Sequence, residues 1–205
     1  MLELRDALAQ VADIRAQMAQ TLIFRGYRSA TTAFSGVLAI CAGLYQHQYI
    51  PDAAWRLDDY LYLWLFVAVL SLATVGIEMG LRCAKSACSL QREMTVSAVQ
   101  QFVPALVAGA LLTYVLVAFS GETVWMLPGL WMILFSMGIF SSRRFLPAPT
   151  VFVGAYYLLA GLLVLALPHG VALRSSVMSG VFGFGQLFAA GVLYSSLERG
   201  RGERS

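Results

Sequence analysis

The sequence is poor in ionisable side chains. Only 12% of its 205 residues are charged, whereas 59% are hydrophobic, and an ordinary soluble domain has about 25% charged residues. A soluble fold of this length cannot cover so much apolar surface, because a large part of any folded surface stays in contact with water. The composition therefore excludes an ordinary soluble domain and indicates a protein whose main partner is the lipid bilayer.

Cysteine and histidine are also scarce. Cys41, Cys83 and Cys88 form no spaced framework, so structural disulfides are not expected. His47 and His169 both lie near the ends of apolar stretches, and axial ligation of a haem needs histidines at matching depth in a helix bundle. The basic residues are scattered, which argues against nucleic acid as a partner. We expect no cofactor and no metal with a diagnostic motif.

Long uncharged stretches are what the sequence does have. A helix needs about 20 apolar residues to cross the roughly 30 Å hydrocarbon layer. Six stretches meet this need and predict an all-α, polytopic membrane protein with a bundle of six transmembrane helices in one membrane domain. The predicted spans are residues 29–50, 60–80, 99–119, 123–142, 148–167 and 175–196, followed by a charged tail at 197–205.

The distribution of basic residues predicts the orientation of these spans. Lysine and arginine concentrate in cytoplasmic loops. With six spans, twelve of the fourteen basic residues fall on one side, and only Arg56 and Arg174 fall on the other. The sequence therefore predicts a multi-pass protein of the plasma (bacterial inner) membrane with both termini in the cytoplasm.

Residues 1–22 are too polar to span a bilayer. Their apolar residues recur at helical spacing among charged ones, which predicts an amphipathic helix on the cytoplasmic side. In one interpretation this helix lies along the membrane surface or on the protein's own loops. In the other, it docks a cytoplasmic protein or a second copy of the chain.

No charged or histidine side chain falls at the middle of any predicted span. Glu78 comes closest, near an inner end, where it can reach headgroups or Arg82. Ionisable groups at depth mark proton relays and intramembrane catalytic centres. Their absence argues against a proton-coupled carrier and against an intramembrane protease, so we expect no enzyme and no catalytic residue.

Gln186 is the deepest polar side chain, about halfway along the sixth span. An amide at this depth needs a hydrogen-bonding partner on another helix. Tyr156 and Tyr157 in the fifth span lie at similar depth, and Ser179 lies on the same helix as Gln186. A ridge of small residues in the first span, Ser35, Ala39 and Gly43, offers a further contact. This polar intramembrane cluster either joins helices or lines a narrow pathway or neutral-ligand pocket.

A second group of residues collects at the predicted outer face: His47, Asp58, Asp59, Glu122 and His169. Imidazoles and carboxylates together can bind a divalent metal or respond to external pH. Their spacing is not diagnostic, and acidic residues are expected on an outer face from which basic residues are excluded. The alternative is that they are solvated loop residues.

Three functions remain open on this basis. The first is a non-catalytic module that senses or binds a partner, as a homo-oligomer or through a cytoplasmic protein that contacts residues 1–22. The second is a channel or facilitator for a small neutral solute, and the third is a membrane enzyme with a site at the outer face. The ion-free interior favours the first.

Overall fold

A computed structural model describes residues 29–50, 56–85 and 89–198. Within these residues the chain is almost entirely helical and has no strand. The amphipathic helix predicted at residues 1–22 and the tail from residue 199 lie outside the described residues. The protein is thus all-α, as the sequence predicts.

Six long helices follow one another within the described residues. They are α1 (Ser29–Tyr49), α2 (Leu57–Lys85), α3 (Ser89–Phe119), α4 (Leu127–Ser141), α5 (Thr150–Leu165) and α6 (Ser175–Leu193). Shorter elements complete the connections: 3₁₀ helices at Gly121–Met126 and Arg143–Phe145, a single helical turn at His169–Ala172, and a π-helical end at Tyr194–Glu198.

Four segments of the described residues are long and apolar enough to cross a membrane: Leu57–Leu81, Val96–Phe119, Gly121–Ser141 and Ser175–Ser196. α1 has 21 residues, but polar side chains such as Gln46 lower its hydropathy. α5 is apolar throughout but has 16 residues, which extend for about 24 Å. The chain is therefore a membrane protein by the length and composition of four helices.

α2 and α3 are longer than the predicted spans of 60–80 and 99–119. They contain 29 and 31 residues, which extend for about 44 and 47 Å at 1.5 Å per residue. The hydrocarbon layer is about 30 Å thick. Since α2 ends at Lys85 and α3 begins at Ser89, the connection between the two spans is mostly helical and continues both helices past their apolar segments.

Two prolines differ in what they do to their helices. Pro128 lies in the first turn of α4, directly after the 3₁₀ helix, where its missing N–H would have no partner in any case. The fourth apolar segment therefore starts as a 3₁₀ helix and becomes an α-helix at Leu127. Pro104 lies inside α3, where it removes one hydrogen bond of the helix.

The helices form an open ring in which neighbours run antiparallel. Around the ring the order is α2, α1, α6, α5, α4, α3, and α2 and α3 make few contacts with each other. We call the end with Tyr60, Trp125 and His169 the aromatic end. The opposite end, with Arg143 and Arg144, is the basic end, where α1 begins and α6 finishes.

Glycines bring two pairs of helices close together. A Cβ on Gly36 of α1 would lie 3.0 Å from the carbonyl oxygen of Gly183 in α6, and a Cβ on Gly129 of α4 would lie 2.8 Å from that of Gly161 in α5. Small residues let membrane helices approach to this distance. The predicted ridge of Ser35, Ala39 and Gly43 is buried on the same face of α1.

Aromatic side chains fill the middle of the bundle. The ring of Phe135 in α4 packs edge-on against Tyr157 of α5 with centroids 4.8 Å apart, and its centroid lies 5.5 Å from Phe102 of α3 and 6.0 Å from Phe182 of α6. Edge-to-face packing at these distances is favourable beyond the area it buries. Four helices thus share one aromatic core.

Candidate functional site

Gln186 joins α6 to α1. Its amide lies 3.2 Å from the hydroxyl of Ser35, and that hydroxyl lies 2.7 Å from the carbonyl oxygen of Thr32. The hydroxyl of Ser35 is the donor in both contacts, to the carbonyl oxygen of Thr32 in its own helix and to the amide oxygen of Gln186 in α6.

The other members of the predicted intramembrane cluster lie elsewhere. Tyr156 donates its hydroxyl to the carbonyl oxygen of Val181 at 3.1 Å, and Tyr157 packs its ring against Gly185. Ser179 donates to the carbonyl oxygen of Ser175 in its own helix at 2.6 Å. Gln186 therefore faces α1 while the tyrosines bind the α5 side of α6, and the four residues do not converge on one pocket.

A buried polar contact that was not predicted involves Gln46, whose side chain is 1% exposed. Its amide oxygen accepts a hydrogen bond from the indole N–H of Trp64 at 2.8 Å, and its amide nitrogen donates to the carbonyl oxygen of Leu173 at 2.8 Å. One side chain thereby ties α1 to α2 and to the connection before α6. The sequence does contain a signal for it, because Gln46 follows Gly43 by three residues and so continues the small-residue ridge.

The interfaces of α4 with α3 and with α5 are also joined by hydrogen bonds from polar side chains. Trp131 of α4 donates to Thr113 of α3 at 2.9 Å, and Ser136 of α4 donates to the carbonyl oxygen of Gly154 in α5 at 2.8 Å. Five of the six neighbouring pairs around the ring thus have a cross-helix hydrogen bond. Between the side chains described in α2 and α3 no such bond occurs.

Tyr60 does not take part in the hydrogen bonds between helices described above. Its side chain is fully buried, and its hydroxyl has no hydrogen-bond partner among the described residues. Its ring lies beside Trp64, with centroids 6.4 Å apart. The group is one helical turn closer to the aromatic end than the Gln46–Trp64 contact.

The predicted outer-face residues all lie at the aromatic end, but they do not form a metal site. His47, Asp58 and Glu122 are exposed. Asp59 pairs with Arg56, whose guanidinium also donates to the carbonyl oxygen of Tyr49 at 3.0 Å. In the described part of the chain, no three histidine, cysteine or acidic side chains are grouped so that they could hold a metal ion.

His169 makes a ring contact with a second connection of the bundle. Its imidazole stacks on the indole of Trp125, with ring centroids 4.1 Å apart and an angle of 18° between the planes. The two residues belong to different connections, which are 3₁₀-helical around Trp125 and α-helical at His169. Neither residue's neighbours along the chain indicate this pairing.

Comparison with known proteins adds no relative. The chain matches no protein-family model, no curated protein and no solved structure. Its chemistry therefore has to be argued from its own geometry.

Proposed function

We propose that the chain crosses the plasma (bacterial inner) membrane six times, with both termini in the cytoplasm. The antiparallel alternation around the ring supports this proposal, because α1 and α5 each pack between helices that are long and apolar enough to span. Lys and Arg then divide as the positive-inside rule requires, with Arg143 and Arg144 at the cytoplasmic, basic end and Arg174 at the outer, aromatic end.

Accessibility of single cysteines in intact cells tests this topology. Cysteine placed at Arg143 should be labelled only after the membrane is permeabilised, and cysteine placed at Arg174 should be labelled by an impermeant reagent from outside. Both variants replace an exposed arginine by cysteine, so they differ only in the end of the bundle at which the cysteine lies. Labelling of both positions from the same side would contradict six spans.

Within that topology, the protein acts as a non-catalytic module that binds a protein partner at its basic end. The observation behind this proposal is that polar side chains, Gln186 among them, join five of the six neighbouring helix pairs by cross-helix hydrogen bonds. Groups used in this way join helices and are not free to bind a substrate or to relay a proton.

α2 and α3 have the least buried of the four apolar segments, and we take their hairpin as the surface for a partner. From Ala68 to Leu81, α2 has no buried side chain, and from Val96 to Phe119 α3 buries only Ala98 and Thr113. Both helices also run past their apolar segments toward the basic end. Residues 1–22 are expected on the same side of the membrane from their sequence.

Deletion of residues 1–22 tests the partner hypothesis. The shortened protein and the full chain are compared for membrane insertion, for oligomeric mass in detergent by light scattering, and for proteins that co-purify from native membranes. We expect unchanged insertion together with a lower mass or a lost co-purifying protein. If mass and co-purification are both unchanged, the hypothesis is wrong.

Exposed glycines provide a second test with matched controls. A Cβ at Gly76 or Gly80 of α2, or at Gly180 or Gly191 of α6, meets no atom within 4 Å, so isoleucine fits each position in the protomer. Gly80→Ile should reduce oligomeric mass or partner recovery, whereas Gly180→Ile should leave both unchanged. Equal effects of the two changes would remove α2 from the proposed surface.

The facilitator hypothesis makes a different prediction. If Gln186 lined a pathway, vesicles with the reconstituted protein would leak small neutral solutes, and Gln186→Leu would alter that leak. We expect vesicles with and without the protein to be equally permeable to a panel of such solutes, because Gln186 bonds to Ser35. A protein-dependent leak that responds to Gln186→Leu would replace our proposal with the facilitator.

A further inference from the structure

The stack of His169 on Trp125 is the only described ring contact that involves a histidine. Trp125 is half-buried and packs against the core at the start of α4, whereas His169 is exposed at the connection that leads into α6. The imidazole can therefore exchange a proton with bulk water while its ring stays on the indole. The charge on the imidazole can therefore change the strength of its contact with the indole.

The charged groups around this contact are all solvated. Glu122 lies on the same 3₁₀ helix as Trp125, Arg174 follows the turn that His169 begins, and His47 follows Gln46, which bonds to Leu173 in this connection. At the start of α2, Asp58 is exposed and Asp59 pairs with Arg56. None of these groups forms an ion pair with His169 in the described part of the chain. The indole face of Trp125 is in direct contact with the imidazole, with ring centroids 4.1 Å apart.

We propose that His169 and Trp125 form a proton-responsive latch between the α3–α4 and α5–α6 connections. With neutral imidazole the two rings make an ordinary stack. When His169 gains a proton, the contact becomes a cation–π interaction, for which the indole is the best aromatic partner. The latch is therefore tighter with a protonated imidazole than with a neutral one.

The expected strength follows from the exposure of the imidazole. Cation–π contacts at exposed sites shift an equilibrium by roughly two- to fivefold, so the latch changes the balance between joined and separated connections by about that factor. The latch does not rest on the proposed partner binding, because it concerns a ring contact at the aromatic end. Its failure and the failure of the partner hypothesis are read from different experiments.

Fluorine NMR of the full chain in detergent tests the latch. Trp55, Trp64, Trp125 and Trp131 are replaced by 5-fluorotryptophan, and each resonance is assigned from a single Trp→Phe variant. The spectrum is followed between about pH 5 and 8, the range in which histidine titrates. We expect the Trp125 resonance to move with pH.

Two histidine variants identify the source of that shift. His169→Gln should abolish the titration of the Trp125 resonance while the Trp131 resonance shows that the fold is kept. His47→Gln is the matched control, because His47 is the other exposed histidine at the same end, and it should leave the titration in place. A Trp125 resonance that does not move with pH, or that still titrates in His169→Gln, would overturn the proposal.

Discussion

Trp64 of α2 donates its indole N–H to the side-chain oxygen of Gln46 in α1 across 2.8 Å. The same amide donates onward to the carbonyl oxygen of Leu173. Both ends of the Gln46 side chain are thus used, and the residue is almost completely buried. A single amide therefore fixes the positions of three chain segments at the aromatic end, which makes it the most connected polar side chain described in the bundle.

Gln46→Leu should destabilise the protein. The change leaves the Trp64 N–H and the Leu173 carbonyl buried without partners, and an unpaired buried polar group costs about 1–3 kcal/mol. We expect a loss of about 2 kcal/mol in the free energy of unfolding, measured by denaturation in mixed micelles. Gln48→Leu is the control, because Gln48 is exposed two residues away. If both changes lower the free energy of unfolding by the same amount, the hydrogen bonds of Gln46 do not stabilise the protein.

Gly43→Ala should disturb the contact between α1 and α6. A Cβ at this position would overlap the Cβ of Ser179, and overpacking of this kind costs about 1–3 kcal/mol. Ser179→Gly removes the obstructing atom, so the double variant should regain most of the lost thermal stability. The control is Gly180→Ala, where the new methyl meets open space. A double variant no better than Gly43→Ala would show that the clash is not with Ser179.

Tyr60→Phe should leave the protein as stable or make it more stable. The hydroxyl is buried and has no partner among the described residues, so its removal relieves a desolvation penalty of about 1 kcal/mol. Thermal unfolding of Tyr60→Phe is compared with that of Tyr62→Phe, whose ring is largely exposed. A clear loss of stability in Tyr60→Phe alone would mean that the hydroxyl makes a hydrogen bond in the membrane protein.

Ser35 and Gln186 should be energetically coupled. We expect Ser35→Ala and Gln186→Leu each to cost about 1 kcal/mol of unfolding free energy, and the double variant to cost less than the sum. The free energies come from the same micelle denaturation as above. Ser35→Ala combined with Thr113→Val, at the interface between α3 and α4, provides the additive control. Strict additivity of Ser35→Ala and Gln186→Leu would contradict their contact.

The all-helical membrane fold was predictable because the hydrophobic pattern depends only on local composition. The residues at which helices begin and end were harder to predict. The fourth span was expected over 123–142, but Pro128 and the residues before it form a 3₁₀ helix and the first turn of α4. The sequence also predicts that the connection at about residues 79–98 is helical and extends the second span, and the described residues of this connection are helical. Hydropathy indicates which residues can lie in the hydrocarbon layer, but it does not indicate where the helix ends.

The partners of polar residues were harder to predict than their presence. The sequence predicts that Gln186 needs a partner on another helix, and the hydroxyl of Ser35 in α1 lies 3.2 Å from its amide oxygen. Ser35 was predicted only as part of a packing ridge, because helix order in a bundle is a property of the whole chain. The same reason hides the stack of Trp125 on His169, since its two residues lie in different connections.

α1 and α6 are neighbours in the ring although they are far apart in the described chain, and this has a consequence for biosynthesis. Ser35 and Gln186 are 151 residues apart in the chain. At about 5–20 residues per second of synthesis, on the order of ten seconds pass between the emergence of one and the other from the ribosome. During that interval the small-residue face of α1 lacks its contact with α6, so the interface between these two helices forms only after α6 has been synthesised.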